Sequence, residues 1–144
     1  MSADRERVQK RLREALLPRE EILEAYLFGS LARGDHQPHS DVDVALYVDT
    51  SRVPASAFGY EAELATILMR ALSAGRVDIV VLNYASPLLY HRVLRDGVRL
   101  LARDLRATTA REGYALSRYL DWLPQQSKFD AALGERIRQG EFGR

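Results

Sequence analysis

The chain has 144 residues, 47% hydrophobic and 28% charged, with a formal net charge of +1. This composition indicates one compact globular domain and excludes a disordered, fibrous or generally basic nucleic-acid-coating protein. It contains no cysteine, which excludes disulfides, zinc–thiolate sites and thiol nucleophiles. The charged N-terminus lacks an apolar signal core and no stretch approaches the ~20 apolar residues that span a bilayer, so we expect a soluble, unprocessed cytoplasmic protein with no membrane partner and no direct nucleic-acid binding.

The first part of the chain predicts one helix and two strands. Apolar residues at helical spacing predict an amphipathic helix over about residues 4–17. An apolar run at about 23–28 predicts a strand that ends at Gly29, followed by a turn or two of helix before Gly34 and a polar loop. The segment 40–49, "SDVDVALYVD", alternates aspartate with valine and then becomes apolar, which predicts a strand whose first half faces a site.

The middle of the chain predicts a helix and a third strand. Pro54 is expected to open the helix and Gly75 to end it. Five apolar residues at helical spacing form its expected buried stripe: Leu64, Ile67, Leu68, Ala71 and Leu72. The segment "RVDIVVLN" that follows predicts the third strand.

The last part of the chain predicts two helices around a short strand. Pro87 begins a helix that Gly97 stops, and "VRLLAR" predicts the fourth strand. A longer helix is expected at about 104–123, with Pro124 ending it. Beyond that proline, three apolar residues recur at four-residue spacing: Phe129, Leu133 and Ile137.

The order of these elements favours a mixed sheet over a doubly wound parallel one. The connection between the first two strands is short and poor in apolar residues, which disfavours a doubly wound parallel sheet relative to a mixed one. No internal repeat or interdomain linker interrupts the chain. We therefore expect a single α+β domain.

Two aspartates dominate the polar half of the second strand. Residues i and i+2 of a strand project from the same face with Cα atoms about 6.6 Å apart, so Asp41 and Asp43 point the same way. A lone Asp-x-Asp is common in solvated strands and turns, but converging carboxylates also bridge paired Mg²⁺ ions. Asp78, the only charge inside an apolar strand, is either an edge-strand gatekeeper or, if its strand lies beside the second, a third carboxylate and a base for an attacking hydroxyl.

The Gly29–Ser30 turn upstream of the aspartates allows two interpretations. It is an ordinary start to a short helix, or its glycine and free N–H groups form a cradle for phosphate. Arg33 either clamps a phosphate or covers surface.

The combined pattern is more specific than its parts. It resembles the signature of the DNA polymerase β nucleotidyltransferase superfamily, most closely the minimal nucleotidyltransferases (MNT). The resemblance covers about residues 22–104 and extends to Asp78 and to the stretch "LNYASPLLYHRVLRDGVRLLARD". The matching positions are Gly29, Ser30, Ala32, Arg33, Gly34, Ser40, Asp41 and Asp43.

The resemblance implies roles for seven residues. Asp41 and Asp43 would hold two Mg²⁺ ions, and Asp78 would hold the catalytic one. ATP would be the substrate, and the residues expected to bind the nucleotide are Gly29, Ser30, Arg33 and Ser40.

The resemblance also implies a fold and a partner. The fold would be a nucleotidyltransferase-type mixed β-sheet flanked by helices, a single domain over residues 1–144 with a motif core at about 22–104 and a C-terminal helix and tail at about 105–144. Minimal members resemble antitoxins that transfer AMP from ATP to a tyrosine of a HEPN-domain ribonuclease toxin, as in a type VII-like toxin–antitoxin pair. We expect the same partner here.

Two alternative functions accompany this interpretation, and the role of the C-terminal segment has more than one interpretation as well. The same chemistry could act on a small hydroxylated molecule such as an aminoglycoside, although relatives of that kind usually carry a further substrate domain. In a different class of function, a noncatalytic nucleotide-binding module would neutralise a partner by binding. The segment after Pro124 either caps the domain or frays as a tail, or it supplies part of the partner interface, with Trp122, by docking a helix in a groove.

Overall fold

The computed structural model describes residues 2–34, 41–56, 59–73 and 75–138, and the side chains in these ranges except those of residues 2–3, 33 and 126–138. In chain order the elements are α1 Ser2–Leu16, β1 Ile22–Phe28, α2 Ser30–Arg33, β2 Val42–Val48, α3 Tyr60–Leu72, β3 Val77–Val81, a 3₁₀ turn Leu82–Tyr84, α4 Pro87–Asp96, β4 Val98–Ala102 and α5 Leu105–Arg138.

The strands form one mixed sheet in the order β3-β2-β1-β4. β1 is antiparallel to both β2 and β4, and β2 is parallel to β3. The parallel pair is joined by a connection that contains α3, as a parallel connection requires. The mixed sheet predicted from the short first connection is therefore confirmed.

The main hydrophobic core lies between one face of the sheet, α1 and α3. Leu12 and Leu16 of α1 are fully buried there, against alternate residues of β2. Of the predicted α3 stripe, three leucines are buried while Ile67 is 39% exposed. The buried members of the stripe are Leu64, Leu68 and Leu72.

The other face of the sheet is covered by α4 and α5. Ala45 of β2, Tyr90 and Val93 of α4, and Ala115 of α5 form a second buried cluster with Tyr26 of β1. Because side chains alternate along a strand, every second residue of β2 before Ala45 also belongs to this face. The polar half of β2 therefore opens on the side of α4 and α5.

A buried carboxylate fastens α5 to the centre of the sheet. Glu24 of β1 is 0% exposed. Its oxygens accept hydrogen bonds from the Thr108 hydroxyl at 2.7 Å and from the Arg111 guanidinium at 2.6 and 2.8 Å. The same guanidinium lies 4.8 Å from the ring centre of Tyr47. Every charge in this group has a partner, as burial of an ion requires.

Two helix boundaries differ from the sequence prediction. Pro54 does not open α3, which begins at Tyr60 after Gly59 and has acidic residues in its first turn. Pro124 does not end α5, which continues to Arg138. A proline in a helix interior costs about 3 kcal/mol, because it removes one hydrogen bond and clashes with the preceding turn. Strong helix formers such as Gln, Lys, Ala, Leu and Glu follow Pro124 and favour continuation of the helix.

Candidate active site

The strand register brings the three predicted aspartates together at one end of the sheet. Val42 pairs with Val77, and Asp43 pairs directly with Asp78. Asp41 directly precedes β2, where the Val42 N–H donates to the Arg76 carbonyl at 3.1 Å. Asp41, Asp43 and Asp78 therefore lie at neighbouring positions on the face of the sheet that α4 and α5 cover, with Asp78 beside Asp43. These three residues and position 76, which lies beside Asp41, form a four-cornered arrangement called the acidic grid below. The strand adjacency that the sequence left open is present.

The fourth corner of the acidic grid is a cation that the sequence prediction missed. Arg76 Nε donates to Asp78 Oδ1 at 3.3 Å and lies 3.6 Å from Asp41 Oδ2. The signal was available in the sequence, because Arg76 stands two residues before Asp78 and so projects from the same strand face. The positive charge of Arg76 beside Asp41 and Asp78 offsets the mutual repulsion of the carboxylates.

Gly29 lets the backbone approach the Asp43 carboxylate closely. Phe28 pairs with Asp43 across β1 and β2, so the turn after β1 lies beside this carboxylate. Gly29 has φ 80° and ψ −156°, a conformation essentially restricted to glycine. A Cβ placed at this position would lie 2.2 Å from Asp43 Oδ2, closer than any real contact. Glycine is therefore required both by its backbone conformation and by its neighbour.

The other predicted nucleotide-binding residues lie in or near the turn that follows. Ser30 is the first residue of α2, and Arg33 is its last. Gly34 ends this short helix in the left-handed conformation, φ 87°, and its N–H donates to the Ser30 and Leu31 carbonyls. The side chain of Arg33 and the whole of Ser40 lie outside the described residues.

The carboxylates of the acidic grid are not gathered around one point. Within the described residues, no group of three or more His, Asp or Glu side chains is arranged to hold a metal ion. Asp41 and Asp78 are both drawn toward Arg76, and Asp43 lies against Gly29. Their side chains share a face and a sheet end, but a common ligand would require them to turn toward each other.

Buried tyrosines lie on the same face, under α4 and α5. Burial is the main reason that the pKa of the Tyr26 phenol lies well above its usual range, and the hydrogen bond to Glu112 is the second. Burial, followed by the charge of Glu24, raises the pKa of Tyr90 in the same direction. Both phenols therefore stay neutral at physiological pH, which suits packing rather than proton transfer.

The fold is that of a nucleotidyltransferase. The chain matches the family described as "Polymerase beta, Nucleotidyltransferase" over residues 10–106, and it belongs to that family. The family assignment made from the glycine, serine and aspartate signature is thereby confirmed. No curated protein matches the chain significantly.

Several solved structures share the fold over most of the chain. One, a crystal structure of a toxin-antitoxin with AMP-PNP, is 25% identical, has a TM-score of 0.70 and covers 87% of this chain and 98% of its own. A second, a mutant of the toxin-antitoxin MntA-HpeT, is 25% identical with a TM-score of 0.65, covering 89% and 96%. A third, a tri-AMPylated HEPN toxin with MNT antitoxin from Shewanella oneidensis, is 23% identical with a TM-score of 0.58, covering 94% and 98%, and supports the fold alone.

Helices that cross a membrane need about 20 consecutive, predominantly apolar residues. In the part of the chain that the structure describes, none combines the length and apolarity of a transmembrane segment.

Proposed function

We propose that this nucleotidyltransferase transfers AMP from ATP to a tyrosine hydroxyl of a partner HEPN-domain toxin and so acts as the antitoxin of a type VII-like pair. The observation that carries the proposal is the acidic grid of Asp41, Asp43 and Asp78 beside Gly29. The 25% identity to a toxin-antitoxin with AMP-PNP, over nearly all of that chain, supports both the nucleotide and the kind of partner.

The donor set suits magnesium. Mg²⁺ prefers oxygen ligands and is usually held by one or two carboxylates together with substrate phosphates and water. The acidic grid offers three carboxylates, with the side chains of Asp41 and Asp78 41% and 42% exposed, so a triphosphate can reach them. Asp41, Asp43 and Asp78 would hold two Mg²⁺ ions, which when bound neutralise the triphosphate and stabilise the attacking and leaving oxygens.

In this proposal the glycine turn binds the triphosphate, and the acidic grid serves the transfer step. Gly29, Ser30, Arg33 and Ser40 would bind the triphosphate, with Gly29 permitting close approach of the backbone. The acceptor oxygen attacks the α-phosphorus and forms a new P–O bond, and the bond to the bridging oxygen of the β-phosphate breaks and releases pyrophosphate. Asp78 accepts the proton of the attacking hydroxyl, since it stands at the corner of the acidic grid beside the metal ligand Asp43.

The test is transfer of label from α-labelled ATP to a purified HEPN-domain partner. Asp43→Asn is expected to lower transfer by at least 100-fold while the melting temperature holds, because its charge would serve the metal rather than packing. Asp78→Asn is expected to lose transfer and retain MgATP binding by calorimetry. Asp4→Asn, an exposed carboxyl in the first turn of α1, is the matched control and should transfer at the parental rate.

The outcomes separate the proposal from its alternatives. Transfer by Asp43→Asn within tenfold of the parent would contradict the metal role of the acidic grid. Modification of an aminoglycoside but not of the HEPN protein would assign the same chemistry to a small acceptor. Inhibition of the partner by all variants alike, without transfer, would show neutralisation by binding.

A further inference from the structure

One corner of the acidic grid has no part in the proposed chemistry. The backbone of Arg76 is fixed by the parallel pairing, because its carbonyl accepts from the Val42 N–H at 3.1 Å. Its side chain consequently projects beside Asp41 and Asp78 rather than away from them. The guanidinium therefore lies among the predicted metal ligands.

Arg76 and a bound metal ion would compete for the same two carboxylates, those of Asp41 and Asp78. Arg76 Nε lies 3.3 Å from an oxygen of Asp78 and 3.6 Å from an oxygen of Asp41. Both carboxylates would also be ligands in the proposed function. A guanidinium between them and a divalent cation beside it would repel each other.

The ion pairs of Arg76 are exposed enough for another cation to replace the guanidinium. The Arg76 side chain is 69% exposed, and its two partners are about two-fifths exposed. Ion pairs of this exposure are weak and are screened by salt. A divalent ion with phosphate oxygens in its shell can displace such a guanidinium without any change in the backbone.

We propose that Arg76 is a positioning residue that acts as an internal counter-ion of the metal-free site and is displaced when a divalent cation binds. It would thereby set the cation concentration at which the site loads. The arrangement accounts for the direction in which Asp41 and Asp78 now point, toward Arg76 rather than toward a shared centre. This inference rests on the proposed function, since it needs the carboxylates to be metal ligands.

The proposal fixes the sign of a substitution. Removing the guanidinium removes a competitor, so Arg76→Gln is expected to bind the cation more tightly, by about threefold to tenfold, the range that two exposed ion pairs support. A purely structural role for Arg76 predicts the opposite, because loosening the strand end would weaken binding. Arg76→Lys keeps the charge and should remain within about twofold of the parent.

The experiment is a titration of the full chain with Mn²⁺, free ion being measured by electron paramagnetic resonance. Mn²⁺ is the probe because it prefers the same octahedral oxygen ligands as Mg²⁺. The matched control is Arg52→Gln, which removes another exposed arginine, one that pairs with Glu20 beyond the opposite end of β2. Repeating the titration at about 1 M salt should shrink the difference between Arg76→Gln and the parent.

The outcomes distinguish this inference from the proposed function. Equal or weaker Mn²⁺ binding by Arg76→Gln, with binding by the parent abolished in Asp41→Asn, would overturn the counter-ion role and leave the metal site standing. Equal tightening in Arg52→Gln would reduce the effect to net charge and also overturn it. Absence of Mn²⁺ binding by the parent, with or without ATP, would overturn the metal site and this inference together.

Discussion

At the residue scale, Gly29 couples backbone conformation to the position of a carboxylate. Its φ of 80° with ψ of −156° is strained for any other residue, and its missing side chain is the space into which Asp43 fits. The two effects are separable. The conformational cost acts on the stability of the whole domain, whereas the contact acts on where one carboxylate oxygen lies.

Gly29→Ala is expected to lower the free energy of unfolding by about 1–3 kcal/mol and to lower nucleotidyl transfer as Asp43 is pushed aside. Urea unfolding measures the first effect, and labelled ATP the second. Gly113→Ala is the matched control: this α5 glycine has open space around the added carbon, so alanine should stabilise by about 0.5–1 kcal/mol.

A double mutant identifies the origin of the stability loss. In an Asp43→Ala background the close contacts of the new Cβ with Asp43 Oδ2 and Cγ are gone, and the remaining distance to the Cβ of residue 43 is an ordinary 3.4 Å. The backbone conformation at position 29 is unchanged. The cost of Gly29→Ala should therefore persist there. Its disappearance would mean that the contact, and not the conformation, makes glycine necessary.

At the scale of the elements, the attachment of α5 to β1 depends on the buried group of Glu24, Thr108 and Arg111. Breaking a buried pair by removing one partner costs about 3–5 kcal/mol, whereas replacing both partners by apolar residues is often neutral. The two cases can be compared directly here, because Arg111 bonds Glu24 through two nitrogens.

Arg111→Met is expected to destabilise the domain by about 3–5 kcal/mol, since Glu24 would remain buried and charged with only Thr108 as a partner. The double variant Glu24→Leu with Arg111→Met should recover more than half of that loss. Thermal and urea unfolding of the single and double variants measure the coupling. Additive losses would show that α5 is held by its apolar contacts instead.

The sequence predicted the positions of the strands better than it predicted which residues pair across them. Each strand was expected near its observed place, and the short polar connection correctly favoured a mixed sheet over a doubly wound parallel one. The pairing of Asp43 with Asp78 was conditional on adjacency, because periodicity fixes a face but not a neighbour. The contact of Arg76 with Asp41 depends on the same strand pairing, whereas its place on the same face as Asp78 could be read from the sequence.

The two misplaced helix boundaries have one cause. At Pro54 and Pro124 the proline alone decided the prediction, yet proline favours a helix start without forcing one and kinks a helix without always ending it. At Pro124 the residues on both sides favour helix, and α5 continues. The roles of Arg33 and Ser40 remain predictions, since their side chains lie outside the described part of the chain.

At the scale of the whole molecule, α5 is longer than the surface it covers. At 1.5 Å per residue its 34 residues extend about 51 Å, while α4, against which it packs, has 10 residues. Leu116 and Leu120, which stand four residues apart on one side of this helix, are 46% and 54% exposed. Trp122 stacks on Tyr119 with ring centres 5.9 Å apart.

The second half of α5 is the place to test the partner interface. The predicted docking residues Phe129, Leu133 and Ile137 fall in this helix, and their side chains lie outside the described ones. A chain truncated after Pro124 is expected to stay folded and bind MgATP but to lose at least tenfold in affinity for a HEPN-domain partner. Calorimetry with each ligand in turn measures this, and parental affinity for the partner would exclude the segment as a docking element.

The buried position of Glu24 also constrains the order in which the chain can mature during synthesis. This carboxylate emerges from the ribosome early, but Thr108 and Arg111 follow 84 and 87 residues later. Until they arrive, the face of the sheet that α5 covers is open to water and Glu24 stays solvated, so its burial as an ion pair has to follow the synthesis of α5. Docking of α5 is therefore expected to be a late step, and until then a nascent chain should expose this face of the sheet to chaperones.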